Sequence, residues 1–212
     1  AFPPQNWANQ ISNKNNVRSL DELLNLMQLD GNNSPSVKHC LAKEIPDLLL
    51  SIQKAKSEIS LVQGDDKIPL HNFTEQHVRE WIRDFQDSFP MNPTRHLEHL
   101  KFKLPQVLAV MQHGLFLKSG FELRNTQILS VSLFLLMNNG LLQQVATGEG
   151  KSLIIVFLAV IQSLYRKRVD IITSSNVLAK RDAEFMKGLY NMFNISVSHN
   201  CSENDEERTK AN

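Results

Sequence analysis

The stretch Thr147-Gly148-Glu149-Gly150-Lys151-Ser152 constrains this chain more than any other part of it. The segment before it, residues 142–146, reads as a short strand. Residues 151–165 follow, apolar nearly all round, and predict a helix buried on several sides. Strand, glycine turn, helix is the order that a polyphosphate site requires. Glycines let the backbone curl until successive amides converge on one anion. The start of the next helix adds its positive end to that field. In such a loop Lys151 is expected to bridge β- and γ-phosphate oxygens, and Ser152 to offer its hydroxyl to a magnesium ion. The strict pattern asks for a further glycine where Val145 stands. A turn whose glycines serve only the backbone is the plainer alternative.

The rest of the carboxy-terminal half fits an α/β reading. Arg166-Lys167-Arg168 reads as a solvated turn, with nucleic-acid contact as the less favoured option. Residues 169–173 are β-branched and predict a second strand, Asn176 caps a helix running to about Met192, and residues 195–198 predict a third strand. Alternation of strand and helix with short links is the signature of a parallel sheet.

Ahead of this the pattern is helical. Residues 1–18 are polar and Asn-rich and read as a disordered tail. Ser19-Leu20-Asp21-Glu22 fits a capping box, with Leu20, Leu23, Leu24 and Met27 on one face. Gly31-Asn32-Asn33-Ser34-Pro35 breaks that helix. Another is expected from near Pro46, with Leu49, Leu50, Ile52 and Ile59 as its apolar positions. Gln63-Gly64-Asp65-Asp66 is a turn. Thr74 caps the next helix, whose Val78, Trp81, Ile82 and Phe85 share a side. Pro90 and Pro93 punctuate, and residues 104–117 are helical again, closed by Gly120. Nothing here alternates with period two, so residues 19–100 are expected to form an all-helical extension and residues 101–212 the α/β part.

Composition narrows the partners. The 212 residues are 42% hydrophobic and 21% charged with a net charge of +1, an ordinary globular balance without the basic excess that coating a nucleic acid calls for. Cys40 and Cys201 form no spaced framework, which favours reduced thiols and an intracellular home. The greasiest runs, 128–137 and 153–161, fall short of the roughly 18 apolar residues of a membrane span. The start, Ala1-Phe2-Pro3-Pro4-Gln5-Asn6, lacks the charged lead and apolar core of a signal peptide. His96-Leu97-Glu98-His99 lacks the spacing of a zinc helix and reads as a solvated helix face. His39-Cys40 reads as incidental, and Cys201-Ser202 has no base motif beside it.

With the loop placed, its surroundings resemble a known family. Val145-Ala146-Thr147-Gly148-Glu149-Gly150-Lys151-Ser152 resembles the Met-Lys-Thr-Gly-Glu-Gly-Lys-Thr loop of the SecA preprotein-translocase ATPases. Ile171-Ile172-Thr173-Ser174-Ser175-Asn176-Val177-Leu178-Ala179-Lys180-Arg181-Asp182-Ala183-Glu184 resembles the next motif of that family, a strand followed by Thr-Val-Asn-Asp-Tyr-Leu-Ala-Arg-Arg-Asp-Ala-Glu. The likeness covers roughly residues 100–200. The first ninety residues do not look like the family's usual start, the stretch from Gln127 to Lys151 is slightly long, and Gln144 stands where Glu is common.

The resemblance implies a partial RecA-like P-loop NTPase lobe that binds ATP and Mg2+. Thr147, Gly148, Glu149, Gly150, Lys151 and Ser152 would hold the phosphates and metal. Gln127 stands where the family reads adenine; its amide can both donate and accept, which matches the N6/N7 edge. A glutamine on a solvent-facing helix is the alternative. Arg124 is near enough to help with phosphate or base. Arg181-Asp182 reads as a structural pair or as part of a substrate-facing helix. The acidic Walker B motif, the second lobe with its arginine finger and the polypeptide-binding domain of the family do not occur in the 212 residues, so this polypeptide is expected to be part of a longer motor and to bind ATP without turnover. The implied partners are unfolded polypeptide or preprotein and a membrane channel, and the implied place is cytoplasmic or peripheral at a membrane. The partner of the helical extension is unassigned. A DEAD-like nucleic-acid helicase lobe and a non-hydrolysing interaction module are the rival readings.

Overall fold

Residues 22–25, 35–88, 96–137 and 141–201 are described by a computed structural model. The expected tail, residues 1–18, lies outside them, as do Leu20, Met27, Pro90, Pro93 and Ser202.

The elements run in chain order as α1 (Pro35–His39), a π-helical turn (Cys40–Glu44), α2 (Ile45–Glu58), β1 (Ser60–Gln63), β2 (Asp66–Pro69), a 3-10 turn (Leu70–Asn72), α3 (Glu75–Asp87), α4 (His96–Ser119), α5 (Asn125–Leu136), α6 (Lys151–Leu164) and α7 (Asn176–Met192). In α2 the buried positions Ile45, Leu48, Ile52 and Ala55 recur at three and four residues, so one stripe faces inward. Pro46 is the second residue of α2, directly behind the π-helical turn with which α2 is continuous. Thr74 caps α3 as expected: its hydroxyl accepts from the His77 N–H, and its own N–H donates to His77 Nδ1 at 3.2 Å. Val78, Ile82 and Phe85 are the buried face of that helix.

One apolar core runs from Leu48 in α2 through Val107, Leu108 and Met111 in α4 to Phe157 in α6 and Phe193 after α7. It crosses residue 100 without a break. A second cluster joins Leu23, Leu24, Cys40, Leu41 and Ile45 to Leu129 and Leu133 of α5. Helix α6 is buried along most of its circumference, with Leu153, Ile154, Val156, Phe157, Val160, Ile161 and Leu164 all inside, as its all-round apolar sequence predicts. No helix among the described residues is long and apolar enough to cross a membrane.

Several expectations are corrected. The amino-terminal part is not all-helical, because β1 and β2 form an antiparallel hairpin in the register Ser60↔Pro69 to Gln63↔Asp66. Four-residue strands are too short to establish a period in sequence, and the partly buried pair Leu61 and Ile68 is what faces the core. The expected parallel sheet is not among the described residues; the hairpin is the one sheet found there. Residues 142–146, 169–173 and 195–198 carry no ladder. β-branched composition gives propensity, but a strand exists only when a neighbour takes its backbone groups. Ile172 is accordingly 94% exposed and Leu142 98%. Helix α4 begins well before residue 104 and continues through Pro105. Leu50 points to solvent at 72% exposure rather than into the core. Ser175, not Asn176, caps α7, its hydroxyl accepting from the Leu178 N–H.

Candidate nucleotide-binding site

The glycine loop occupies residues 147–150 and feeds directly into α6. Gly148 has φ +87° and Gly150 φ +78°, left-handed conformations that a side chain resists. Gly150 is the N-cap residue of α6, and no side chain caps that end. The Leu153 and Ile154 N–H groups bond back to the Gly150 carbonyl, so the amides of Lys151 and Ser152 are the ones this helix start offers a ligand, with the positive end of the helix behind them. At Gly148 a Cβ would meet nothing within 4 Å, so the loop faces open space there.

The two polar side chains after the loop lie at its mouth. Lys151 is exposed, and its Nζ donates to the carbonyls of Val145 and Ala146, each at 3.1 Å. The ammonium thus spans the loop from its exit to its entrance. Ser152 is half-buried and its Oγ donates to Asp182 Oδ2 at 3.4 Å. The other carboxylate oxygen of Asp182 accepts from Arg181 Nε at 2.9 Å and from its terminal nitrogen at 2.6 Å. Arg181-Asp182 is therefore a pair, as expected, but one that also reaches the loop.

The loop is clamped from α5. Gln127 is 1% exposed, so it is not the solvent-facing glutamine weighed from sequence. Its Nε2 donates to the Glu149 carbonyl at 2.9 Å and its Oε1 accepts from the Arg124 N–H at 3.0 Å. A Cβ on Gly150 would run into that same amide. Arg124 reaches Glu149 Oε2 at 3.1 Å and the Gly148 carbonyl at 3.5 Å, and Thr126 Oγ1 donates to Glu149 Oε2 at 3.4 Å. Glu149 thus points towards α5, not towards the loop mouth. Upstream, Ser130 donates to the Gln143 side-chain oxygen, and Gln143 Nε2 donates back to the Ser130 carbonyl at 3.0 Å. Gln143 and Gln127 hold the entrance and the exit of the loop to one helix.

The donor set fits a magnesium–triphosphate. Curled amides and a helix start answer the anion, Lys151 supplies the mobile cation, and the Ser152 hydroxyl is a hard oxygen ligand. Thr147 is exposed at the rim. Gln127, the predicted base reader, has both ends of its amide engaged inside the protein. Sequence reasoning did not place Asp182 or Gln143 at the site. Asp182 lies 30 residues from Ser152, and only the fold brings them together.

The other sequence candidates fall elsewhere. Among the described residues there is no cluster of three His, Cys, Asp or Glu able to hold a metal. His99 is not on a solvated face; it packs against the rings of Phe85 and Tyr165, with centroids 5.8 and 6.1 Å away. Cys40 is a buried free thiol, pushed up to about 12 by burial and by Glu44 beside it. Arg166 to Arg168 are exposed, and Arg166 takes a positive φ of 58° in the turn after α6.

Comparison with known proteins agrees with the geometry of the loop. A profile of the SecA DEAD-like domain matches residues 44–212. The match begins well ahead of residue 100, within the segment read from sequence as an extension. A protein translocase subunit SecA from Maridesulfovibrio salexigens is 38% identical over 163 residues, covering 76% of this chain and 18% of the relative. The SecA subunit of Methylobacillus flagellatus is 30% identical over 132 residues, covering 61% of this chain and 13% of the relative. That of Desulforapulum autotrophicum is 42% identical over 78 residues, covering 35% and 9%. The chain therefore spans less than a fifth of the length of these relatives.

Proposed function

The chain belongs to the SecA DEAD-like domain family, and from that premise we propose that it is the ATP-binding part of a motor that couples nucleotide hydrolysis to movement of polypeptide. The observation that carries this reading is the placing of Lys151 and Ser152 at the mouth of a glycine loop that opens an uncapped helix. The amides after Gly148 and Gly150 bind and orient the phosphates. Lys151 leaves the carbonyls of Val145 and Ala146 for β- and γ-oxygens, exchanging two neutral acceptors for a charged one. Ser152 is the residue that would hold the metal ion, through its hydroxyl. A bound magnesium ion would neutralise charge between the phosphates and draw electron density from the bond that breaks.

In the whole motor, water attacks the γ-phosphate and catalysis rests on charge and positioning. Among these 212 residues the groups that meet the nucleotide are those of the loop, and what they carry is ATP binding. The cargo is unfolded polypeptide or preprotein, delivered to a membrane channel, with the motor cytoplasmic or peripheral at the membrane. The absence of a basic excess supports polypeptide over nucleic acid as that cargo.

Calorimetric titration of the chain with ATP in magnesium tests the site, with saturable binding expected and no heat of binding as the result against it. Phosphate release by the longer motor tests the cargo. Stimulation by an unfolded protein is expected, and stimulation by RNA alone would move the reading to a nucleic-acid helicase.

A further inference from the structure

Asp182 lies on α7, outside the loop, yet it is the group that meets the metal-side hydroxyl. Its two carboxylate oxygens are divided between partners. Oδ1 accepts from two of the three Arg181 guanidinium nitrogens, Nε at 2.9 Å and Nη2 at 2.6 Å, and Oδ2 faces Ser152 Oγ at 3.4 Å. A serine hydroxyl has one proton and two lone pairs. Ser152 is the second residue of α6, so there is no preceding helical turn whose carbonyl could take that proton. Here a carboxylate on a neighbouring helix takes the proton instead.

Resting on the phosphate-loop reading, we propose that Asp182 is a positioning residue for the ATP-bound magnesium: by accepting the Ser152 proton it leaves the Ser152 lone pairs free for the cation. Arg181 keeps Oδ1 occupied, so the carboxylate presents Oδ2 to Ser152. The carboxylate also adds a negative charge on the metal side of the site without touching the phosphates. An isolated surface pair of Arg181 and Asp182 would do nothing of this kind; side-chain exposures of 60% and 31% would leave it worth little by itself.

The experiment measures ATP affinity by calorimetry in EDTA and in excess Mg2+, and compares the factor by which Mg2+ strengthens binding. Asp182→Ala is expected to cut that factor roughly tenfold, the low end for removing a group that orients a metal ligand. Its affinity in EDTA should be at least that of the parent, because a carboxylate has been removed from near a polyanion. Asp182→Asn keeps a neutral acceptor oxygen and should lose less. Ser152→Ala with Asp182→Ala should lose no more than Ser152→Ala alone, since both act through one hydroxyl. An unchanged Mg2+ factor in Asp182→Ala would overturn the proposal, and so would full additivity in the double variant. Loss of EDTA affinity in Asp182→Ala would also overturn it, by showing a general structural role. Lys151→Ala separates the two levels: if its EDTA affinity matches the parent, the phosphate-loop reading itself fails. If Lys151→Ala binds weakly while the Asp182→Ala factor is unmoved, only the role of Asp182 fails.

Discussion

Gln127 Nε2 donates to the Glu149 carbonyl at 2.9 Å, tying the first turn of α5 to the last peptide before Gly150. With Oε1 accepting from the Arg124 N–H, the amide uses one of its two donors and one of its two lone pairs within the protein before any ligand arrives. Gln127→Ala should destabilise the nucleotide-free protein by about 1–3 kcal/mol, the net worth of two hydrogen bonds to part-buried backbone groups. Urea unfolding without nucleotide measures this. An unchanged midpoint would mean that the amide braces nothing and that its contribution, if any, comes only with the base.

The two loop glycines should respond differently to the same substitution. Both have positive φ, which costs an L-residue roughly 1–2 kcal/mol. At Gly148 the new Cβ enters open space, so Gly148→Ala should cost about that strain alone. At Gly150 it strikes the Gln127 side chain, which is locked in place by its two hydrogen bonds. Gly150→Ala should lose the strain and the brace together, roughly 2–5 kcal/mol. Thermal melts of the two variants side by side provide the comparison. Equal losses would remove the argument that Gly150 is needed for close approach.

The difference between these glycines marks how far sequence could see. The loop was legible because its chemistry is local: Gly148, Gly150, Lys151 and Ser152 are adjacent, and adjacency is what a sequence records. Helices with strong caps or stripes, such as α3 behind Thr74 and the all-round apolar α6, were legible for the same reason. Contacts between distant segments were not. Gln127 to Glu149 spans 22 residues and Ser152 to Asp182 spans 30, and no local rule pairs them. The hairpin at Ser60–Gln63 and Asp66–Pro69 escaped because two four-residue strands carry too few positions to show a period. The β-branched run at 169–173 misled in the opposite sense, since propensity was present and a ladder partner among the described residues was not.

Three buried acids set the alkaline limit of the fold. The Cys40 thiol is raised from 9.0 to about 12 by burial and Glu44. The Tyr190 phenol is raised from 10.0 to about 12 by burial and then by Asp182, and burial alone pushes the Tyr165 phenol up further. Each keeps its proton in the folded state at pH values where the unfolded chain has lost it. The folded state then binds more protons, so stability falls as pH rises. The loss sets in about one pH unit below the 9.0 of the unfolded Cys40 thiol and steepens from about one unit below the 10.0 of the two unfolded tyrosines. Urea midpoints measured under reducing conditions from pH 8 to 11 should show this. Tyr190→Phe should flatten the upper part of the curve, and a slope that is the same in that variant would count against burial of the phenol.

Lys151 offers the sharpest separation of folding from binding. Its ammonium is exposed and its two acceptors, the carbonyls of Val145 and Ala146, lie at the protein surface where water can replace it. Removing an exposed donor of this kind changes stability by about 0.5 kcal/mol or less. The same ammonium against a phosphate oxygen makes a charge-assisted hydrogen bond worth about 1.5–3 kcal/mol. Lys151→Ala should therefore melt with the parent protein yet bind ATP roughly ten to a hundred times more weakly. Thermal denaturation and calorimetric titration on the same preparation check both halves. Parental ATP affinity in a normally folded Lys151→Ala would remove Lys151 from the site. A lowered melting temperature would instead mean that the bridge from Lys151 to Val145 and Ala146 holds the empty loop in shape, and that the lysine serves the fold before it serves the phosphate.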